Sequence, residues 1–431
     1  MSSATRRRRA ALLPVVALAA GMLAVPLAAP ETAHAADGCT AEDAAYSTDA
    51  PAALTLVDAA GANSLATGEG VVVAIVDSGV DASNPHLSGV KISGVDLVGD
   101  GEGAHGFNDL TGHGTAIAGI IAAQPVDGSG VVGLAPDVEL LSVRVFRSES
   151  DQDADAGFGP TAQKIADGIR YAADHGADVI NVSMSQAGDS GELRAAVEHA
   201  AAAGALVVAS AGNREADADA PDAARYPAGY PQALGVTAGD AAGRATDASI
   251  HGPQVDVVAP GQDVLTIAAN GKDCLYAADS PASSYATGYA TAAAALVVQA
   301  HPEDSPASIA YRLMATALRD DADARDDVNG WGFIQPAAAI TLLPDRSTRG
   351  PVSPYFDTAG STIAQPETAL DTKSTPTAFV VTRELALFIA LGAATVLGVL
   401  SVLVIRRRRL EADAPAAQAR SGGLFDGDDA E

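Results

Sequence analysis

The chain has 431 residues, of which 48% are hydrophobic, so it can bury a large core as one big domain with appendages or as two domains. Its formal net charge is −28, from 54 acidic and 26 basic side chains. This acidity argues against a nucleic-acid-binding protein, because phosphate contacts need clustered Lys and Arg.

The N-terminus has the three parts of a secretory signal peptide. Four arginines at 6–9 form a positive segment, residues 10–27 are apolar, and Ala33-His-Ala35 offers small residues for cleavage. We therefore predict a signal peptide over residues 1–35. The alternative is an uncleaved anchor, which two prolines in the apolar stretch disfavour.

Residues 36–66 are polar and rich in Ala and Asp, without a strong period. A segment of this length is too short to fold alone. We expect an N-terminal extension that lies on the domain after it.

From residue 67 to 343 the chain alternates apolar runs with helical stretches, which predicts an α/β domain with a mostly parallel sheet flanked by helices. The apolar run 71–76 is rich in Val and Ile, as strands buried on both faces of a parallel sheet are. Further strands are predicted at 138–145, 179–184, 205–210, 233–237 and 255–258, and helices at 162–175 and 193–203. Sites in such sheets form at the carboxyl ends of strands, and Asp77 and Asn213 each follow a predicted strand.

The C-terminal part reads as a membrane anchor. Residues 344–380 are rich in Pro, Ser and Thr and predict an extended linker. Residues 385–405 are uncharged and apolar, about the 20 residues that span a bilayer as a helix. Four arginines follow, so the positive-inside rule places the tail 406–431 in the cytoplasm. A buried core helix is the weaker alternative, because the run lies beyond a polar linker.

The chain has two cysteines, Cys39 in the extension and Cys274 in the domain. In an exported protein an even count suggests a disulfide. We expect the pair to tie the extension to the domain; two free thiols are the alternative.

Four short segments carry the residue types of a serine hydrolase: Ala74-Ile-Val-Asp77-Ser-Gly, Thr111-Gly-His113-Gly-Thr, Ala211-Gly-Asn213 and Ser283-Ser284-Tyr-Ala. A serine hydroxyl becomes a nucleophile when an imidazole accepts its proton, and a carboxylate fixes the tautomer of that imidazole. The predicted roles are nucleophile for Ser284, general base and then acid for His113, and orienting carboxylate for Asp77. The Asn213 amide and the Ser284 N–H would form the oxyanion hole. Each motif alone could be a turn or a cap, but the order Asp, His, Ser is diagnostic of one fold type.

On these motifs the stretch from about residue 68 to 343 resembles the subtilisin-like serine peptidases, and among them the mycosins, the membrane-anchored proteases of actinobacterial type VII secretion systems. Further matching segments are Gly133-Leu-Ala-Pro136, Arg225-Tyr-Pro-Ala-Gly-Tyr-Pro231, Val255-Asp-Val-Val-Ala-Pro-Gly261 and Asn329-Gly-Trp-Gly. The resemblance implies a three-layer subtilisin-like fold and an endopeptidase that works through an acyl-enzyme. It also implies exported protein or peptide substrates, and membrane components of the secretion system as partners.

The nucleophile segment departs from the family's Gly-Thr-Ser pattern. It reads Ala282-Ser283-Ser284, and Gly288 stands where the family has Pro. Counting back from the apolar run near 294–297 aligns Ser284 with the family's nucleophile; a register that uses Ser283 is the alternative. Ala282 would be strained if the position needed a left-handed backbone, and Gly288 would weaken a helix by up to about 1 kcal/mol. We expect an active enzyme, with a pseudoenzyme as the alternative.

The segment Ser183-Met184-Ser185 matches the strand that lines the substrate pocket in subtilisins, so the resemblance assigns it to substrate binding. Ser185 and Gln186 replace two glycines of the family pattern. Added side chains should narrow the pocket, which predicts restricted specificity.

No zinc or EF-hand pattern is present, and no cofactor is expected. The family often binds structural calcium. The acidic run 149–155 could hold Ca²⁺, but a solvated surface loop is favoured.

Two rivals to an active secretion protease stay open. The first is a structural component of a membrane secretion complex with a weak or inactive peptidase site. The second is a general nutrient protease, which the predicted membrane anchor disfavours because scavenging gains little from tethering.

Overall fold

The structure, a computed structural model, describes residues 45–102, 104–214 and 222–356. The predicted signal peptide, the apolar segment 385–405 and the tail lie outside these ranges. Within them, no helix is both long and apolar enough to cross a membrane.

A parallel sheet of seven strands forms the middle layer, in the order β2-β3-β1-β4-β5-β6-β7. Its strands are β1 Val72–Asp77, β2 Ile92–Asp96, β3 Glu139–Arg144, β4 Val179–Val182, β5 Leu206–Ser210, β6 Ala233–Gly239 and β7 Val257–Pro260. An antiparallel pair, β8 Val264–Ile267 and β9 Asp273–Tyr276, lies apart from this sheet. The six strands predicted from apolar runs are confirmed. β2 escapes prediction because its side chains are half-buried or exposed and give no apolar run.

Helices cover both faces of the sheet. They are α1 Ala52–Leu56, α2 Ala59–Asn63, α3 His113–Ala122, α4 Asp151–Asp155, α5 Ala162–Asp174, α6 Gly191–Ala203, α7 Ser283–Ala300, α8 Pro306–Thr316 and α9 Pro336–Thr341. The predicted helices α5 and α6 pack on one face, and α3, α7, α8 and α9 on the other. Along β1, Val73 and Ile75 join one core while Ala74 and Val76 join the other, as alternation along a strand requires.

The described part of the extension, from residue 45, belongs to the domain's own core. Val57 and Ala62 are fully buried in the larger hydrophobic cluster. Upstream, the Ser47 N–H donates to Asp273 Oδ2 at 2.8 Å, and the Ser47 carbonyl accepts from Gly130 N at 2.6 Å. The extension is therefore held by apolar burial and by hydrogen bonds.

The chain after α9 folds back onto α8 before the described residues end. The Tyr355 hydroxyl donates to Asp304 at 2.5 Å, and the Tyr355 ring packs edge-on to Tyr311. Arg349 pairs with Asp321 and Asp323 at 3.1 and 2.6 Å. We call these contacts the C-terminal clasp.

Candidate active site

Asp77 and His113 meet at the carboxyl end of β1. His113 Nδ1 donates to Asp77 Oδ1 at 2.8 Å, and Asp77 is fully buried. The same oxygen accepts from the Ser78 N–H at 2.7 Å. The two residues therefore stand in the relation that fixes an imidazole's tautomer, with Nε2 left for proton transfer.

A buried carboxylate sets the start of α3, and hence the place of His113. Asp109 accepts from the N–H groups of Gly112 and Thr115 at 2.9 and 2.8 Å, and from Ser78 Oγ at 2.9 Å. Gly112 has φ 80°, a left-handed turn that favours glycine. Sequence analysis did not single out Asp109, although its position four residues before His113 places it near the start of the helix.

The charge of Asp77 acts directly on His113. Burial alone would lower the pKa of His113, but the Asp77 carboxylate outweighs it and raises the pKa from 6.5 to about 9. The carboxylate thus favours the imidazolium that forms when a base takes up a proton.

The two serines at the start of α7 differ sharply in their surroundings. Ser283 is fully buried, and its hydroxyl lies 2.7 Å from Asn213 Oδ1 and 2.6 Å from Ser210 Oγ. Ser284 Oγ has no hydrogen-bond partner among the described residues. The ring of the next residue, Tyr285, lies 5.7 Å from the His113 ring. Of the two hydroxyls, that of Ser283 is engaged, whereas that of Ser284, the residue before Tyr285, is left without a partner among the described residues.

Asn213 is oriented by Ser283. Its Oδ1 accepts from the Ser283 N–H at 2.8 Å as well as from the Ser283 hydroxyl. With the carbonyl end of the amide occupied, the NH₂ end is left to act as a donor. The structure thus brings Asn213 to the N-terminus of α7, which also carries Ser284.

The structure explains how Ala282 and Gly288, two departures of the nucleophile segment from the family pattern, are accommodated. Ala282 has φ −122° and ψ 125°, an extended conformation, so the expected left-handed strain was wrong. Gly288 faces α3: a Cβ there would lie 3.2 Å from Ile120 and 3.5 Å from Ile117. Glycine therefore allows α3 and α7 to approach closely. This close packing offsets the lower helix propensity of glycine.

The three residues predicted to bind substrate point in different directions. Ser183 Oγ lies 2.8 Å from the Ser284 carbonyl oxygen, beneath α7. Met184 is buried in the cluster with α5 and α6. Ser185 Oγ lies close to Gly212, 3.0 Å from where a Cβ on that glycine would stand. Only the last of these side chains reaches the residue next to Asn213.

Cys274 is disulfide-bonded. The expected partner, Cys39, is the chain's other cysteine and lies outside the described residues. Cys274 follows Asp273, which binds Ser47 of the extension.

The acidic run 149–155 forms α4, a short helix with no buried residue, capped by Ser150. Among the residues that the structure describes, no group of three or more His, Cys, Asp or Glu side chains is placed to hold a metal ion. A separate cavity of about 560 Å³ is lined by Tyr230, Asp256 and Tyr311 and by none of the candidate site residues.

The seven-stranded parallel sheet has an Asp–His pair at the end of a central strand, and a helix packed on the sheet begins with a serine whose hydroxyl has no hydrogen-bond partner among the described residues. This arrangement is that of an α/β serine peptidase with a Ser-His-Asp triad. Residues 68–332 match the subtilase family (peptidase S8), and the chain belongs to this family.

The chain is similar to mycosins of Mycobacterium tuberculosis. It is 34% identical to Mycosin-1 over 68% of this chain and 73% of that protein, and 32% identical to Mycosin-3 over 82% and 84%. The crystal structure of MycP1 from the ESX-1 type VII secretion system matches with a TM-score of 0.61 and 30% identity, over 72% of this chain and 91% of that one.

Proposed function

We propose that this chain is an extracytoplasmic serine endopeptidase, anchored in the cell membrane by residues 385–405, that acts on proteins exported by a type VII secretion system. The observation that carries the catalytic part is the 2.8 Å Asp77–His113 bond, together with a Ser284 hydroxyl that has no hydrogen-bond partner among the described residues. The anchor rests on the apolar run, and the link to secretion rests on the similarity to mycosins.

The reaction runs through an acyl-enzyme. Ser284 Oγ attacks the substrate carbonyl carbon as its proton passes to His113 Nε2. The carbonyl oxygen gains negative charge, which the Asn213 amide and the Ser284 N–H stabilise; one such donor contributes about 3 kcal/mol. The C–N bond then breaks as His113 protonates the leaving amine. A water activated by His113 hydrolyses the ester and frees Ser284.

Labelling by a fluorophosphonate, which reacts only with activated serines, tests the catalytic part on the full chain in detergent micelles. We expect labelling that Ser284→Ala abolishes. Ser283→Ala should slow labelling without abolishing it, because it removes only a hydroxyl that orients Asn213. Labelling that survives Ser284→Ala, or disappears only with Ser283→Ala, would contradict the assignment.

A structural role in a secretion complex is the second candidate, and one observation favours it. No hydrogen bond reaches Ser284 Oγ among the described residues, so the bond to His113 is not formed at rest. Such bonds often tighten only when substrate binds. Absence of labelling in a well-folded chain, with secretion intact in a Ser284→Ala strain, would favour the structural role.

Restricted specificity is part of the proposal. The Ser185 hydroxyl fills space against Gly212 that a glycine at 185 would leave open. Digestion of a peptide library with the full chain tests this: a narrow choice of the residue before the cut is expected, and broad tolerance would contradict it.

A further inference from the structure

The space beside Asn213 receives the residue whose peptide bond is cut, and this inference rests on the proposed function. If the Asn213 amide holds the scissile carbonyl oxygen and Ser284 attacks the carbonyl carbon, the α-carbon bonded to that carbon lies next to Asn213 and Ser284. The side chain on that α-carbon therefore enters the space bordered by Gly212, which precedes Asn213. Residues lining Gly212 are in a position to choose that side chain.

Arg225 is one of those residues. A Cβ placed on Gly212 would lie 3.2 Å from Arg225 Cγ and 3.0 Å from Ser185 Oγ. Tyr226, the neighbour of Arg225, is fixed to Gln186 by a pair of backbone hydrogen bonds, each 2.9 Å. The segments 185–186, 211–213 and 225–226 thus surround a common space, with an arginine along its edge.

The charge of Arg225 is not neutralised within the described ranges. Its Nε is buried without a hydrogen-bond partner, and the side chain forms no ion pair there. The carboxylates of Asp222 and Asp189 pair with other arginines, Arg214 and Arg194. A buried donor without a partner costs free energy, so a ligand that supplies an acceptor gains affinity.

We propose that Arg225 determines specificity by binding an acidic side chain, Asp or Glu, on the residue immediately before the cut bond. A carboxylate matches the planar guanidinium with two parallel hydrogen bonds, which a neutral or basic side chain cannot supply. A cation at this place also offsets the repulsion between an acidic side chain and the oxyanion that forms beside it.

The test uses peptide aldehydes, Ac-Ala-Ala-Ala-Xaa-H, which place Xaa next to the reactive serine. Their inhibition of fluorophosphonate labelling is measured on the full chain in detergent with Xaa as Glu, Gln, Leu or Lys. We expect the Glu aldehyde to inhibit at least about tenfold more strongly than the isosteric Gln aldehyde, as a charge-assisted hydrogen bond predicts. Equal inhibition by the two would overturn the proposal.

Variants assign the preference to Arg225. Arg225→Gln should remove the Glu preference, Arg225→Glu should favour Lys, and Arg225→Lys should retain part of the wild-type order. The matched control is Arg244→Gln, because Arg244 is an exposed arginine that pairs with Asp240 at 3.4 Å. Fluorophosphonate labelling of each variant shows whether the nucleophile survives the change. A Glu preference that persists in Arg225→Gln contradicts the proposal.

Failure of the proposed function gives a different result. If the wild type is not labelled, binding of the same four peptides as C-terminal amides is measured by calorimetry. Tighter binding of the Glu peptide that Arg225→Gln removes would support the acidic site even in an inactive chain. The same affinity for all four peptides would overturn it.

Discussion

At the scale of single residues, the Asp77–His113 pair decides how reactivity depends on pH. The pKa of His113, raised to about 9 by Asp77, means that the imidazole stays protonated above its ordinary range. A protonated imidazole cannot accept the Ser284 proton. Reactivity should therefore rise with pH, with a midpoint above 6.5.

Asp77→Asn should lower the maximal labelling rate by about 10⁴-fold, since an amide no longer fixes the tautomer. It should also lower the pH at which the labelling rate falls off in acid, because without the Asp77 charge burial lowers the pKa of His113. Labelling rates from pH 5 to 10 measure both effects, with exposed Asp137→Asn as the control. An unchanged midpoint of the rise in labelling rate with pH would show that Asp77 does not set the pKa of His113.

Local motifs in the sequence predicted the candidate site residues, but not the hydrogen bonds and contacts between them. The sequence left the register between Ser283 and Ser284 open, because adjacent serines look alike in a string of small residues. Only the bonds of Ser283 to Asn213 and Ser210 separate them. Arg225 stood inside a family motif, and its approach to Gly212 follows from a tertiary contact that no spacing encodes.

At the scale of secondary-structure elements, Arg144 at the end of β3 holds the loop after β2. The fully buried side chains of Arg144 and Asp100 meet at 2.7 Å, and Arg144 Nε donates to the Ser78 carbonyl at 3.2 Å. The hydrogen bond from Arg144 is the main cause that lowers the pKa of Asp100 to about 2. The loop is thereby tied to the residue after Asp77.

Asp100→Asn should destabilise the fold by about 2 kcal/mol at neutral pH, the scale of a hydrogen bond to a charged group. Because the folded pKa lies below the unfolded value of 3.8, the stabilisation is present above about pH 4 and is lost as pH falls towards 2. Urea unfolding at pH 7, 4 and 3 should show the variant and the wild type converging in acid. Asp127→Asn, at an exposed carboxylate, should match the wild type throughout. A constant difference at all pH values would contradict this account.

The pattern of apolar residues predicted α5 and α6 but not α3 and α7; a helix at Gly288 entered only with the family resemblance. The first two have polar faces, so their apolar residues recur with a helical period. In α3 and over most of α7 the side chains are buried on every side and mostly small, so the period is lost. The helices that carry His113 and Ser284 were therefore the least visible in the sequence.

At the scale of the whole molecule, the extension is joined to the domain through burial and the Ser47–Asp273 bond, and the neighbouring Cys274 is disulfide-bonded. The predicted pairing with Cys39 would close a very long loop. Such a cross-link stabilises mainly by restricting the unfolded chain.

Cys274→Ser should lower the free energy of unfolding by about 2–4 kcal/mol. Denaturant unfolding of the full chain with and without dithiothreitol measures this. Reductant should bring the wild type to the level of the variant and leave the variant unchanged. A fully reduced wild type with unaltered stability would show that the extension is held by its non-covalent contacts alone.

The position of the C-terminal clasp has a mechanical consequence. Ser284 lies near the start of α7, which ends at Ala300, so it stands about 24 Å from the far end of that helix. Asp304 follows this end and binds Tyr355. A pull on the chain beyond residue 356 would load Tyr355 and Arg349 first, on α8 and its following loop. Ser284 lies at the opposite end of α7 from these contacts. Tension on the chain beyond residue 356 would therefore break the contacts of Tyr355 and Arg349 before it could move Ser284 away from His113.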